Sequence, residues 1–270
     1  GETLQADTSP EDCLAARFLD VYNSVNVTLD SGQTEAGYYM LDLQAGLQAT
    51  GPYSGHCIET NENADPSTWL PLVESDIISS EVACIIQHPN YGTVWSGAAA
   101  QLAIWHFQNG EPLDGEGDVW DDARTISDTV ASNCDPLPEP KIPCAMTVEP
   151  DEATNGIGAD HRVIATVYYS QGVEPLQGIT VTFQVTDALH SRVTDVNGQA
   201  VFTYTSLVTG TDHITASVAY TVPKGLVFDK VGKQGFILSE DGPTLRFSET
   251  VTKTWIKPAV TAFKFYDVDR

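Results

Sequence analysis

Two side chains in this sequence could react with each other, the thiol of Cys57 and the carboxamide of Gln101. They form a candidate pair for an internal thioester. Gln101 lies in the stretch AAAQLAIWHF, residues 98–107, whose residues are mostly good helix formers. On such a helix Gln101 and Trp105 are four positions apart and share one face. The three alanines before Gln101 leave the helix surface bare, so that another backbone could come close.

The residues around both positions resemble a known family. Gln101-Leu102-Ala103-Ile104-Trp105 resembles the TQxAIW signature of the thioester domains of Gram-positive surface adhesins, with Ala100 in the place of Thr. His56-Cys57-Ile58 resembles the aromatic–Cys–aliphatic motif of the same domains, with His where Tyr or Phe is usual. Cys57 precedes Gln101 by 44 positions, which suits that family. The resemblance covers roughly residues 15–135.

The resemblance implies a crosslink between the Cys57 sulfur and the Gln101 side-chain carbonyl, formed with loss of ammonia. An amide normally resists a thiol, but holding both groups in attack geometry can give effective molarities of roughly 10⁵–10⁸ M. An incoming amine then attacks the former Gln101 carbonyl, and the Cys57 thiolate departs. Because the product is an amide, this step is effectively irreversible. The implied activity is a single-use covalent attachment without enzymatic turnover.

Two neighbours are candidate supporting residues. Trp105 is expected to shield the bond from water, and ordinary core packing would not exclude that role. His56 could shuttle a proton, because its unperturbed pKa lies near neutrality. Neighbours in an extended strand point to opposite faces, however, which favours a packing role for His56 in the place of Tyr or Phe.

Two other interpretations remain open from the residues alone. Cys57 and Gln101 could be an ordinary buried cysteine and a glutamine on a core helix, in a non-covalent binding or stalk module. The chain could also be a cysteine hydrolase or transglutaminase-like enzyme, with Cys57 as nucleophile and His88 or His106 as base. No local signature supports the enzyme, and it leaves Gln101 unexplained. No metal-loop spacing is found among the acids, and no cofactor is expected.

Charge limits the choice of partner. The net charge is −24, from 37 acidic and 13 basic residues, and the first 144 residues carry −20 of it. Nucleic acid and anionic membranes are therefore excluded as expected partners, and no apolar run is long enough for a membrane span. Residues 1–140 contain no lysine. The absence of lysine suits a stored thioester, because lysine amines would attack the bond. We expect a monomer whose target is an amine-bearing, lysine-rich surface molecule.

Five cysteines are present. If Cys57 is used in a thioester, the other four can form two disulfides in three ways, which suits an exported protein. Cys84 and Cys134 are paired first, because both lie on predicted helices. That leaves Cys13 with Cys144, and a local Cys134–Cys144 bridge is the main alternative. A native bridge of this kind typically contributes about 2–5 kcal/mol.

The first half of the chain mixes strands and helices. Alternation from Leu19 to Leu29 predicts a strand with an interruption at Asn23, and residues 38–44 predict its hairpin partner. Gly51-Pro52 and Ser54-Gly55 predict chain breaks just before Cys57. Further helices are predicted over residues 79–87 and 118–132. The polar loop at 61–71 could border a reactive site.

The second half predicts repeated short strands with turns between them, as in a β-sandwich. Gly158-Ala159-Asp160-His161 and residues 210–216 resemble bacterial immunoglobulin-like domains of the invasin type, which usually serve as stalks. Residues 221–244 are interpreted as an insertion before the last strand.

The resulting fold class is multidomain, with a mixed α+β head followed by an all-β immunoglobulin-like sandwich. The expected segments are a thioester head at 1–135, a proline-rich linker at 136–143, a stalk domain at 144–257 and the start of a truncated following domain at 258–270. The interpretation is a cell-surface adhesin fragment, extracellular and anchored through another part of its parent chain.

Overall fold

The computed structural model describes residues 13–45, 48–60, 62, 64–73, 78–87, 97–130, 134, 137, 141–170 and 174–257. The polar leader at 1–12, the alternative base His88, much of the predicted linker and the segment 258–270 lie outside the described residues. The chain forms two compact units. The first comprises Gly1–Ile142 with Tyr220–Leu245, and the second comprises Pro143–Ala219 with Arg246–Arg270.

The described strands, in chain order, are β1 (Ala15–Leu29), β2 (Gly32–Ala45), β3 (Gln48–Cys57), β4 (Leu70–Val73), β5 (Ala145–Glu149), β6 (Glu152–Gly156), β7 (His161–Ser170), β8 (Glu174–Pro175), β9 (Thr180–Val185), β10 (Ala188–Val193), β11 (Gln199–Tyr204), β12 (Gly210–Thr221), β13 (Val227–Phe228), β14 (Phe236–Leu238) and β15 (Thr244–Ile256). The described helices are α1 (Ser80–Gln87), α2 (Gly97–Asn109) and α3 (Asp118–Thr129). None of these helices is long and apolar enough to cross a membrane.

The first unit contains a closed barrel in the order β1-β2-β3-β14-β13-β4. The predicted hairpin of β1 and β2 is confirmed, and its register shifts between Tyr22 and Val25. Asn23 lies inside this shift with a φ of 50°, in the left-handed region that asparagine tolerates. The polar interruption seen in the sequence is therefore a β-bulge, which bends the strand where the barrel curves.

The predicted chain breaks before Cys57 lie inside β3, and its pairing with β2 shifts register at Gly51-Pro52. The signal at Gly51-Pro52 is therefore an irregularity of the ladder, whereas the break predicted at Ser54-Gly55 is wrong because the strand continues through it. A Cβ atom on Gly55 would lie 2.6 Å from Leu41 Cδ1 and 3.0 Å from the Ile237 carbonyl oxygen, so that glycine fits this closely packed position. Glycine occurs in strands where another part of the chain comes close, as well as in turns. In β3 it indicates such a close approach.

The predicted helices are present, with one shorter than expected. α3 ends at Thr129, so Cys134 lies beyond the helix that was expected to carry it. α2 is buried along its first nine residues, from Gly97 to Trp105, as its apolar composition on all sides requires. The disulfide between Cys84 and Cys134 is present and joins α1 to the segment after α3.

The boundary predicted between the two halves needs correction. Residues 221–244, interpreted as an insertion in the stalk domain, supply β13 and β14 to the barrel of the first unit. β14 pairs with β3, placing Phe236 opposite Cys57, and β13 pairs with β4. Strands of two and three residues are too short for their alternation to show which sheet they join. The first unit is therefore built from two separate stretches of chain.

This correction also changes the lysine argument. The unit that carries Cys57 contains Lys224, Lys230 and Lys233 in addition to Lys141, so it is not free of lysine. Its net charge is still −20, from 26 acidic and six basic residues. Lys233 Nζ is bonded to Asp65 Oδ2 at 2.8 Å, and Lys224 Nζ donates to a main-chain carbonyl at 3.2 Å. Two of these amines are thus engaged inside the unit.

The second unit consists of two sheets, as expected for an all-β sandwich. The larger sheet has the order β10-β9-β12-β15-β6, and the smaller has the order β11-β7-β5 with β8 added to β7. Alternate residues of these strands face inward and are buried, including Val163, Ala165, Phe183, Phe202 and Trp255.

Candidate functional site

The side chain of Gln101 is hydrogen-bonded to the main chain of Cys57 at two points. The Cys57 N–H donates to Gln101 Oε1 at 3.0 Å, and Gln101 Nε2 donates to the Cys57 carbonyl at 2.7 Å. A carboxamide has one acceptor oxygen and one donor nitrogen, which complement the N–H and C=O of one residue. The structure therefore brings together the two residues that the sequence nominated.

The barrel leaves this edge of β3 open for the glutamine. On one side Cys57 pairs with Phe236 of β14. On the other side, the pairing of β3 with β2 ends at Gly55 opposite Tyr39, two residues before Cys57. Buried main-chain groups require partners, and the Gln101 amide supplies them where the neighbouring strand stops. The glutamine thus occupies the position of the next peptide group in the sheet.

Close packing at the start of α2 brings the helix to this edge. A Cβ on Gly97 would lie 2.3 Å from the Tyr38 ring, so that a larger residue has no room there. Gln101 is fully buried, with 0% of its surface exposed, and Cys57 is 2% exposed. Burial of a polar side chain at this depth is costly unless its hydrogen bonds are satisfied, as those of Gln101 are.

Cys57 is the free cysteine of the chain. Cys13 and Cys144 are disulfide-bonded like Cys84 and Cys134, so the alternative Cys134–Cys144 bridge is wrong. Cys57 Sγ donates to the carbonyl of Glu59 at 3.0 Å. Burial, and next the negative charge of Glu59, raise the pKa of the thiol well above its usual value.

Trp105 and Tyr39 act on the same sulfur. Both side chains oppose the rise in the pKa of Cys57, although burial outweighs them. Trp105 is buried, and within the described part of the chain its indole N–H has no hydrogen-bond partner other than the Cys57 sulfur. Trp105 therefore lies beside Cys57, with its indole N–H acting on the sulfur.

His56 contacts Gln101 directly, which the alternation of strand residues did not predict. His56 Nδ1 lies 3.3 Å from Gln101 Oε1, and the ring packs on Tyr38 with 5.2 Å between ring centroids. The contact arises because the glutamine amide lies along the strand edge, within reach of residues on either face. Burial lowers the pKa of His56 to about 4, while its hydrogen bond to Gln101 opposes this. A neutral His56 can donate its Nδ1–H to the amide oxygen.

A pocket of about 180 Å³ gives access to Cys57. Its walls include the aromatic side chains of Tyr39 and Trp105 and the three acids Glu35, Glu59 and Glu62. Thr60, Glu62 and Ala64, which line it as well, come from the start of the polar loop that was expected to border the site. The pocket is therefore acidic at its walls and has the thiol as one lining group.

Glu59 was not identified from the sequence. Its Oε2 accepts from the Gly235 N–H at 2.7 Å and from Gln234 Nε2 at 2.9 Å. Burial raises the pKa of Glu59 to about 7, the negative charges of Asp229 and Glu62 add to this, and the Gly235 N–H opposes it. Its position two residues after Cys57 could have indicated a residue near the reactive site. Its hydrogen-bond partners, however, come from residues 221–244, which the sequence analysis assigned to the stalk domain.

His106, one of the two bases nominated for a hydrolase, is not brought to the Cys57 pocket. His106 Nδ1 is 2.7 Å from the carbonyl of Glu111, and His106 is absent from the pocket lining. His88 lies outside the described residues. In the described part of the chain, no group of three or more His, Cys, Asp and Glu side chains could hold a metal ion.

Comparisons with known proteins gave likenesses among solved structures only. No protein-family model matches the chain, and no curated protein matches it. The TIE protein of Bacillus anthracis is similar at 11% identity and a TM-score of 0.38, over 90% of this chain and 49% of that one. The thioester domain of the Staphylococcus aureus TIE protein is similar at 12% identity and a TM-score of 0.32, over 92% and 99%.

The D0-D1 domain of Intimin is similar at 9% identity and a TM-score of 0.22, over 92% of this chain and 86% of that one. The present chain spans about half the length of the Bacillus anthracis chain.

Proposed function

We propose that this chain stores a thioester between Cys57 Sγ and the side-chain carbonyl carbon of Gln101. The bond is used once, to attach the protein covalently to a primary amine such as a lysine on a surface molecule. The observation that carries this proposal is the double hydrogen bond that fixes the Gln101 carboxamide on the Cys57 main chain, with both residues buried. Such fixation supplies the proximity that a thiol needs to attack an amide.

The same contacts support the formation step. The Cys57 sulfur loses its proton and attacks the Gln101 carbonyl carbon, and negative charge develops on Oε1. That oxygen already accepts from the Cys57 N–H at 3.0 Å and lies 3.3 Å from His56 Nδ1. Donors fixed in this way stabilise an oxyanion without reorganisation. The bond from carbon to Nε2 then breaks, and the nitrogen leaves as ammonia with the proton of the thiol.

The pocket supports an amine as the second reactant. Glu35, Glu59 and Glu62 line it together with Cys57, and the surrounding unit carries a net charge of −20. Both features favour the approach of a positively charged lysine side chain. The disulfides and the sequence resemblance favour an extracellular protein of the adhesin type. The products of this reaction are an amide and a free thiol, which do not re-form the thioester. Each chain can therefore react only once.

Intact mass measurement tests the proposal. We expect the native chain to be lighter by one ammonia than its sequence mass with the disulfides formed, and methylamine to add at Gln101. Cys57→Ala and Gln101→Ala should each carry the full mass and form no adduct with methylamine or with a lysine-bearing target. A native chain of full sequence mass, or a Gln101→Ala variant that still forms a covalent adduct, contradicts the mechanism.

A second candidate function is a non-covalent binding module in which the glutamine is a structural clamp. It is favoured by the fact that the Gln101 amide has partners on both its oxygen and its nitrogen without any covalent bond. The same mass measurement separates the two. The clamp alone predicts full mass, no methylamine adduct and unchanged target binding in Cys57→Ala.

A further inference from the structure

We propose that the Glu59 carboxylate is the proton acceptor for the incoming amine, an assignment that rests on the thioester proposed above. An amine attacking a carbonyl carbon must lose a proton before a stable amide results. The base that takes it must reach the attacking nitrogen from the open side of the bond. Glu59 and Cys57 line the same pocket, which is where that nitrogen enters.

The main chain places Glu59 beside the reacting sulfur. Its carbonyl oxygen accepts from Cys57 Sγ at 3.0 Å, so this residue touches one of the reacting atoms. Glu59 lies two residues after the end of β3, and the N–H of the intervening Ile58 donates to the Gly235 carbonyl at 3.0 Å. The main chain just before Glu59 is therefore held to the segment at Gly235.

The carboxylate is anchored through one oxygen only. Oε2 accepts from the Gly235 N–H and from Gln234 Nε2, at 2.7 and 2.9 Å. Oε1 makes no hydrogen bond within the described residues and is left to accept a proton. Gly235 is required for the anchor, because a Cβ there would lie 2.7 Å from Ile58 Cδ1. This arrangement orients the side chain and leaves one basic atom free.

The surroundings give this carboxylate the proton affinity of a useful base. Its pKa is about 7, raised first by burial and then by the charges of Asp229 and Glu62. Glu35 of β2 also faces the pocket, and the Cys57 thiol is held neutral by its own raised pKa. General bases work best when their pKa lies near the operating pH.

His56 is not placed to do this work. It is buried and bonded to Gln101 Oε1, and it is absent from the pocket lining. Burial also lowers the pKa of His56 to about 4, which makes it a poor proton acceptor near neutral pH. The two residues therefore divide the chemistry, with His56 at the carbonyl oxygen and Glu59 at the nucleophile.

The proton released by the amine is transferred between groups of the site and ends on the Cys57 sulfur. The amine nitrogen bonds to the former Gln101 carbonyl carbon, and its proton passes to Glu59 Oε1. The bond from carbon to Cys57 Sγ breaks, and the sulfur leaves as a thiolate. Glu59 returns its proton to that sulfur, whose raised pKa makes it the stronger base. The net change is thioester plus amine to amide plus thiol, with the Glu59 carboxylate regenerated.

The experiment compares Glu59→Gln with Glu62→Gln, which removes a charge from the same pocket without touching the anchor. The reactant is aminoacetonitrile, an amine that is unprotonated near neutral pH. Intact mass first confirms the thioester in each protein, and the adduct rate is then followed from acid to alkaline pH. In the native chain we expect the rate to rise through about pH 7 and level off. In Glu62→Gln the same rise should remain but occur at lower pH, because the Glu62 charge helps to raise the pKa of Glu59. In Glu59→Gln the rate should fall by about 100-fold and lose this pH dependence.

Each outcome decides something. A Glu59→Gln variant that holds the thioester and reacts at the native rate with the native pH profile overturns the assignment. If Glu59→Gln fails to assemble the thioester, the native profile decides alone, and a rate that does not change with pH overturns the assignment. Glu59→Asp, which keeps a carboxylate, should retain a pH inflection. If the native chain shows no loss of ammonia, the proposed function itself is wrong, which is a different result.

Discussion

Each unit of this chain buries one long polar side chain completely, and the two are treated differently. Gln101 in the barrel unit and Lys253 in the two-sheet unit are both 0% exposed. The Gln101 amide has a partner on its oxygen and on its nitrogen. Lys253 Nζ has no hydrogen bond within the described residues and lies 4.7 Å from the centre of the Trp255 ring.

The side chain of Gln101 is fixed in one position, whereas the side chain of Lys253 is buried without hydrogen bonds to fix it. Complementary partners on both atoms of Gln101 fix its position, which is what chemistry at that position requires. An aromatic face only partly replaces the water that an amine loses on burial, and burial accordingly lowers the pKa of Lys253. Burial alone therefore does not indicate function, and what distinguishes Gln101 is that hydrogen bonds on both of its amide atoms fix its position.

Replacing Gln101 and Lys253 each by methionine gives the sharpest test of this comparison. In a Cys57→Ala background, which forms no thioester, Gln101→Met leaves the main-chain N–H and C=O of residue 57 and the His56 N–H without partners, at about 1–3 kcal/mol for each buried group. We expect the free energy of unfolding of the barrel unit to fall by about 3 kcal/mol or more. Denaturant unfolding followed by the near-ultraviolet signal measures it, and Cys57→Ala serves as the milder control. An unchanged unfolding midpoint in Gln101→Met would contradict the clamp.

The buried histidine predicts a pH effect on the same unit. The pKa of His56 is about 4 in the folded chain, against 6.5 for an unperturbed histidine. Between these values the unfolded chain binds more protons, so stability falls as the pH is lowered from about 6.5 to about 4. The full effect is up to about 3 kcal/mol.

His56→Phe should remove this acid sensitivity. The raised pKa of Glu59 acts in the opposite direction, because the folded chain binds its proton first and loses stability as the pH rises towards 7. The difference between the native chain and His56→Phe isolates the histidine. Urea titrations at a series of pH values give the result, and parallel curves for the two proteins would show that His56 is not held neutral.

Lys253→Met is expected to change stability in the direction opposite to Gln101→Met. Replacing a buried charged group by an apolar side chain of similar length removes an unpaired amine from the core and often stabilises a protein by about 1–4 kcal/mol. We expect a gain at the lower end of this range for the two-sheet unit. The charge of Lys253 also lowers the pKa of His161, so that NMR titration should show that pKa rising in the variant. A loss of stability would mean that the ring contact of Lys253 outweighs its burial.

The smallest expected effect concerns the charge of the barrel unit. Its net charge of −20 should draw lysine-rich targets towards the pocket, and salt should weaken this attraction. Screening shortens the reach of charges to about 8 Å at physiological ionic strength and about 3 Å at 1 M. Adduct formation with a lysine-rich protein should slow several-fold at high salt, while adduct formation with uncharged aminoacetonitrile should not. Equal salt dependence for both would exclude steering.

The parts of the site that follow from local sequence were predictable. The helix with Gln101 and Trp105 on one face follows from helix propensity and a period of four, and Gln101 on this helix is bonded to the Cys57 main chain. The bulge at Asn23 was visible as a break in alternation. These features depend on residues within a few positions of one another.

The parts that depend on distant segments were not predictable. His56 reaches Gln101 because the pairing of β2 with β3 ends before His56. No residue type in the sequence indicates where that pairing ends. The anchor of Glu59 comes from Gly235, 176 positions away. The lysine argument was wrong for the same reason, because it counted residues before the linker and missed those that the later segment contributes to the barrel.

The closing strand of the barrel has a consequence for the order of events during synthesis. Cys57 and Gln101 are made early, yet the strand that pairs with Cys57 begins at Phe236. Contacts between distant positions form slowly and late, and domains fold as units during translation. The pocket wall at Glu59 cannot be completed until the Gly235 segment has left the ribosome. The proposed thioester therefore depends on a segment that is made long after both of its own residues.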